Sequence, residues 1–80
     1  MLGFIFASIP NPQSAGAVRF RRLMHISHGT EHEGDGGIIA SFDDPIQAWS
    51  VAIEWMHTCA PQHPDITIVC HAADAENPEE

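Results

Sequence analysis

Histidines and carboxylates alternate over a short stretch of this 80-residue chain, and side chains of these types can bind a divalent metal ion. The stretch contains His25, His28, Glu31, His32, Glu33 and Asp35. Its spacing matches neither a zinc finger nor a zinc protease, and no C-x-x-C pair accompanies it. We therefore expect no metal and no other cofactor. A small metal-dependent enzyme that uses the three histidines is the less favoured alternative.

The two cysteines, Cys59 and Cys70, could act as nucleophiles or form a disulfide. Two cysteines are too few for the disulfide framework of a small secreted domain, so two reduced, packed thiols are favoured. The alternative is a single disulfide between Cys59 and Cys70. No spacing of nucleophile, base and acid residues indicates a reaction, and we predict that the chain is not an enzyme.

Hydrophobic periodicity predicts the elements that position these residues. The predicted strands are residues 2–9, 17–28, 38–42 and 65–71. A polar, glycine-rich loop is predicted over residues 29–37. Asp44 and Pro45 predict the start of a helix that ends near residue 60, with the Asp44 side chain as its N-cap.

The order β-β-β-α-β predicts an α+β fold in one domain, residues 1–80: a mostly antiparallel four-stranded sheet with one helix packed on one face. The last strand should lie beside the first, in the spatial order 4-1-2-3. The second strand would place Arg19 and Arg21 on the uncovered face of the sheet, a natural surface for self-association. On the helix, Trp49 should face the sheet and Trp55 should lie at the border of the apolar arc. Residues 72–80 read as a frayed acidic tail.

Charge is the most unusual property of the sequence. The three basic side chains are all arginines, Arg19, Arg21 and Arg22, and eleven carboxylates bring the formal charge to −8. Such a chain repels polyanions and attracts basic surfaces over about 8 Å at physiological salt. We therefore expect a basic protein partner and no direct binding of nucleic acid. No apolar run approaches the roughly 20 residues that span a bilayer, so we expect no membrane partner and a cytoplasmic location.

In size, charge and element order the chain resembles the small acidic anti-CRISPR proteins of phages and other mobile elements, especially those that act on type I surveillance complexes. The features that carry the resemblance are the length, the β-β-β-α-β order, the carboxylate-rich stretch from Glu31 to Asp44 and the acidic tail Asp74-Ala-Glu-Asn-Pro-Glu-Glu80. The resemblance implies a non-enzymatic inhibitor in the host cytoplasm that binds a basic nucleic-acid-handling complex and blocks its DNA binding. The cluster of three arginines is not expected in a protein that only mimics the negative charge of DNA.

The predicted contacts with the partner combine carboxylates, arginines and one tryptophan, because Trp and Arg often dominate the binding energy of interfaces. They are Glu31, Glu33, Asp35, Trp55, Arg19, Arg21, Asp74 and Glu76. We expect a monomer or a weak homodimer. The alternative function is that of a small structural or interaction domain that self-associates through the open face of its sheet.

Overall fold

A computed structural model describes residues 1–34 and 36–73 of the chain. Its elements are β1 (Leu2–Ser8), α1 (Ala15–Ile26), β2 (Thr30–Gly34), β3 (Gly37–Phe42), α2 (Pro45–Thr58), a single 3-10 turn (Ala60–Gln62) and β4 (Thr67–Ala73). The predicted class, an α+β fold with one four-stranded antiparallel sheet, is confirmed. The order is β-α-β-β-α-β, the split β-α-β arrangement, instead of β-β-β-α-β.

The sheet has the order β2-β3-β1-β4, and all neighbouring strands are antiparallel. The last strand pairs with the first as predicted, with Ile5 opposite Cys70. The other neighbour of β1 is β3, and β2 lies at the far edge. The sheet therefore has two edges, β2 and β4, at opposite ends.

The prediction of a strand over residues 17–28 is wrong, because most of this segment forms α1. Ser14 is the N-cap, and its side chain accepts a hydrogen bond of 3.1 Å from the backbone N–H of Ala17. Phe20 and Met24, one helical turn apart, are fully buried. Beyond the helix, His28 has a φ of 66°, the left-handed conformation that often ends helices.

The prediction of a loop over residues 29–37 is also wrong, because β2 and β3 form a hairpin there. Gly34 pairs with Gly37, and Gly36 between them has a φ of +78°, which glycine adopts without steric strain. All five residues of β2 are exposed. A strand without apolar side chains carries no hydrophobic alternation, which explains the missed assignment.

The predicted helix near residues 45–60 is confirmed as α2. The Asp44 Oδ1 atom accepts a hydrogen bond of 3.0 Å from the backbone N–H of Ile46, as expected of an N-cap. Gln47 does not complete a capping box. Its Nε2 atom instead donates to the Ser27 carbonyl at 2.9 Å, which ties the start of α2 to the end of α1.

Both helices cover the same face of the sheet, whereas the sequence predicted only one helix on that face. Alternate residues of β1 (Ile5, Ala7) join Phe20 of α1 and Trp55 of α2 in one buried cluster. The opposite face of the sheet has no helix over it among the described residues. The core therefore lies between one face of the sheet and two helices.

Candidate protein-binding surfaces

Two of the carboxylates that were predicted to contact a partner lie on an edge strand. Glu31 and Glu33 are exposed on β2. Because strand side chains alternate, the two project from the same side, about 7 Å apart along the strand. β2 pairs with β3 on one side, so its other side keeps backbone N–H and C=O groups that a partner can pair with. We call this strand with its two carboxylates the acidic edge.

Arg21 reaches the acidic edge from α1. Its Nη2 atom lies 3.7 Å from Glu33 Oε2, and the two side chains are 38% and 82% exposed. An ion pair this exposed contributes only about 0–1 kcal/mol of stability, so its main effect is to place a positive charge beside Glu33. No described basic side chain lies within 4.0 Å of the Glu31 carboxylate. The acidic edge thus holds one neutralised and one unneutralised carboxylate.

A cleft of about 360 Å³ adjoins this ion pair. Its walls come from the segment after β1, which includes Pro10 and Pro12, and from the β2–β3 hairpin. Ile9 and Ile38, both buried, also line it. The charged side chains of this cleft are paired with each other, so it can accept an apolar side chain of a partner beside the acidic edge.

The prediction that Arg19 and Arg21 lie on the open face of the sheet is wrong. Because residues 15–26 are helical, Arg19 and Arg22 are exposed on α1, in the helical layer. Both line a groove of about 480 Å³ that also includes Glu54 and Thr58 of α2. The arginine cluster is therefore split, with Arg21 at the acidic edge and the other two at the α1–α2 groove.

Trp55 is not available to a partner, and its predicted role as a contact is wrong. Its side chain is 1% exposed and is among the largest buried side chains of the core. The Phe20 ring packs edge-on against it with ring centroids 5.5 Å apart, and the His63 ring stacks on it at 6.0 Å. Its Nε1 donor has no hydrogen-bond partner among residues 1–34 and 36–73. Trp55 therefore lies at the contact between α1 and α2.

Trp49, which was predicted to face the sheet, is 62% exposed. Sequence reasoning assigned the two tryptophans the wrong way round, because α1 was unknown and α2 packs toward it. The signal for the exposed side was present in the sequence, since large apolar residues recur at 46, 49, 53 and 56. That spacing of three, four and three is typical of a helix with an apolar partner.

The histidines do not form a cluster. His25 is exposed on α1, whereas the His32 Nε2 atom on β2 lies 3.3 Å from the Ser41 hydroxyl oxygen. Over residues 1–34 and 36–73, no group of three His, Cys, Asp or Glu side chains is close enough to hold a metal ion. Cys59 is buried, Cys70 is exposed, and both are free thiols. Partial desolvation raises the pKa of the Cys70 thiol, and a hydrogen bond to the backbone of His71 opposes that shift.

The uncovered face of the sheet is mainly apolar at its centre. Phe6 and Val69 are directly opposite on β1 and β4 and are 38% and 57% exposed. Ile39 of β3 lies opposite Phe6 on its other side. This open sheet face is the surface on which the sequence placed self-association. It holds Thr67 and His71 but none of the three arginines.

Three predicted contact residues, Asp35, Asp74 and Glu76, lie outside the described residues. Within residues 1–34 and 36–73 there are six carboxylates and three arginines, a formal charge of −3, and the other five carboxylates lie outside. In this part of the chain, neither helix is both long and apolar enough to cross a bilayer. Comparison with protein-family models, curated proteins and solved structures finds no match. The fold and its surfaces define a small α+β protein whose two sheet edges differ in charge.

Proposed function

We propose that this protein acts by binding another protein, as a non-enzymatic anionic inhibitor of a basic nucleic-acid-handling complex. The resemblance of the sequence to acidic anti-CRISPR proteins, which now rests on length and charge and not on element order, supports a type I CRISPR surveillance complex in the host cytoplasm as the target. The observation that supports the proposal most is the acidic edge, where Glu31 and Glu33 project from the same face of an edge strand that pairs only with β3 among the described residues.

The acidic edge offers two kinds of contact at the same place. The backbone of β2 can hydrogen-bond to an extended segment of the partner, and the carboxylates can pair with lysine or arginine side chains. Guide-loaded complexes hold the DNA backbone with such basic side chains, so a protein bound there competes with the duplex. Long-range attraction would mainly accelerate association, while a few desolvated contacts would set the affinity.

Arg21 makes the two carboxylates unequal. Because it lies 3.7 Å from Glu33, a basic partner group must displace it to pair fully with that carboxylate. Glu31 needs no such exchange. We therefore expect Glu31 to contribute more to binding than Glu33. If net charge alone caused inhibition, the two residues would contribute equally.

The test uses a purified type I surveillance complex, its target duplex and three variants of this chain. We expect Glu31→Gln to weaken inhibition of duplex binding at least about 10-fold, because charge-assisted contacts are typically lost with penalties above about 1.4 kcal/mol. Glu33→Gln should have a smaller effect. The matched control is Glu54→Gln, which removes an exposed carboxylate from α2. The proposal would be refuted if the native chain did not inhibit duplex binding. It would also be refuted if all three variants inhibited as strongly as the native chain and the inhibition persisted at high salt.

A further inference from the structure

Helix α2 carries a wider apolar arc than the fold covers. The core buries its Ala48, Val51, Ala52 and Trp55. Beside this face, four large apolar side chains remain exposed: Ile46 at 68%, Trp49 at 62%, Ile53 at 41% and Met56 at 57%. We call these four residues the α2 stripe. Their spacing is that of the seam between two packed helices, and an apolar stripe of this size on a small protein indicates an interface.

The α2 stripe continues onto the neighbouring edge strand. A shallow cleft of about 320 Å³ joins them, with Trp49 on one side and Cys70 and Ala72 of β4 on the other. Cys70 and Ala72 point to the same side of the sheet as the helices but are exposed. Helix α2 therefore leaves the outer part of β4 uncovered, and the stripe and this strand form one continuous surface.

The edge of β4 lacks the features that usually protect an edge strand from pairing. Proteins block such edges with short strands, charged side chains, proline or bulges. The sequence of β4 is Thr-Ile-Val-Cys-His-Ala-Ala, seven residues without a proline or a fixed charge. The other edge, β2, has five residues, of which two are glutamates. In a chain with a formal charge of −8, an edge and an adjacent stripe free of carboxylates mark a surface for close contact.

We propose that a second copy of this chain covers this surface. The β4 strands of two protomers pair antiparallel about a twofold axis perpendicular to the sheet, centred on Cys70, and form one eight-stranded sheet. This axis keeps all four helices on the same face and brings the two α2 stripes side by side. The contact is isologous, so one surface supplies both halves.

The geometry of the protomer suits this arrangement. Helix α2 packs mainly over β1 and β4. With strands about 4.8 Å apart, the two α2 axes would be about 10–14 Å apart in the dimer. The axes of packed helices are usually about 8–10 Å apart. A wider separation needs large side chains between the helices, and Trp49, Ile53 and Met56 supply them.

The area also suits a dimer. If a fully exposed large apolar side chain presents about 150–250 Å², the exposed parts of the α2 stripe amount to roughly 450 Å² per protomer. The seven-residue edge of β4 adds to this, and the total approaches the roughly 800 Å² per partner of a stable interface. The proposal uses the edge opposite to the acidic edge and does not depend on the function proposed above.

Sedimentation equilibrium over a range of concentrations tests the proposal. We expect the native chain to reach twice its mass of 8.7 kDa, and Trp49→Glu to weaken dimerisation at least about 30-fold, as truncation of a central tryptophan does at other interfaces. The control is Phe6→Glu on the open sheet face, which should leave the dimer intact. Circular dichroism verifies that both variants fold. A chain that stays monomeric up to concentrations on the order of 0.1 mM, which corresponds to a dimerisation free energy weaker than about −5.5 kcal/mol, would overturn the proposal, as would a dimer that only Phe6→Glu disrupts.

Cross-linking of the native chain through Cys70 tests the register of the two β4 strands. Directly opposite residues of an antiparallel pair have Cα atoms about 4.5–5.5 Å apart, within the range of a disulfide. Added diamide would take up two electrons and two protons as the two Cys70 thiols form an intermolecular S–S bond. We expect covalent dimers from the native chain and from Cys59→Ser, but none from Cys70→Ser. A dimer that Cys70 cannot cross-link under alkaline conditions would refute the pairing centred on this residue.

Discussion

Replacement of Trp55 by alanine tests whether the contact between α1 and α2 is the centre of the core. The side chain is 1% exposed and packs against Phe20 and His63. Truncation of a buried tryptophan typically costs about 3–5 kcal/mol. At about 0.05–0.15 kcal/mol per residue, a domain of this size has about 4–12 kcal/mol of stability in total. We therefore expect Trp55→Ala to remove about 4 kcal/mol, a large part of the free energy of unfolding.

Trp55→Phe separates the packing of the ring from its polar atom. The Trp55 Nε1 donor has no partner within the described part of the chain, and an unsatisfied buried donor costs about 1–3 kcal/mol. Phenylalanine removes that donor and keeps a ring against Phe20. The free energy gained by removing the donor therefore partly offsets the cost of the cavity that the smaller ring leaves. We expect a loss of only about 1–2 kcal/mol for Trp55→Phe.

Urea unfolding followed by far-ultraviolet circular dichroism measures these losses. The matched control is Trp49→Ala, which truncates the same residue type on the same helix at an exposed position. At concentrations where the chain is monomeric, it should change the free energy of unfolding by less than about 0.5 kcal/mol. A loss below about 1 kcal/mol for Trp55→Ala, or equal losses at both positions, would refute the placement of Trp55 in the core.

Two further predictions concern β1 and β4. A Cβ atom at Gly3 would lie 2.6 Å from the Ala48 Cβ atom, so Gly3→Ala should lower stability in thermal unfolding by about 1–3 kcal/mol, whereas Gly34→Ala, with no atom within 4 Å, should change it little. Equal melting temperatures would contradict the close approach of β1 and α2. Because desolvation raises the pKa of the Cys70 thiol, its alkylation by iodoacetamide should rise at higher pH than that of an unfolded peptide of the same local sequence. Coincident pH profiles would contradict this.

The sequence predicted the elements whose signals are local. The Asp44 cap and Pro45 located α2, and continuous or alternating apolar residues located β1, β3 and β4. Over residues 17–28 the same reasoning failed, because Phe20 and Met24 fit both an alternating strand and a helical face. A strand over these residues would need a bulge to keep Leu23 on the apolar side and Arg22 on the polar side, and this irregularity favours a helix. Ser14, a good N-cap three residues before Ala17, was the positive signal that was missed.

The buried side of α2 could not be predicted from α2 alone. Its apolar residues cover more than half of the helical wheel, whereas the structure buries less than half. The choice between the two flanks of the helix depends on where α1 packs. A strand over residues 17–28 would make Trp49 the natural core residue, whereas the helix α1 makes it Trp55. A helix apolar on two adjacent faces is the pattern of a helix with two partners, one in its own chain and one outside it.

The difference between the two sheet edges connects the acidic charge with the uncovered apolar surface. Glu31 and Glu33 occupy one edge, and the other edge, β4, has no fixed charge. If two copies join through β4, the two acidic edges become the outer strands of an eight-stranded sheet, about 34 Å apart at 4.8 Å per strand. If the proposed function also holds, such a dimer would bind two basic sites at once, and its avidity would exceed the single-site affinity by about 10²–10⁴. Trp49→Glu, which leaves each acidic edge unchanged, should then weaken inhibition of a target with repeated basic subunits and leave binding to an isolated subunit unaffected.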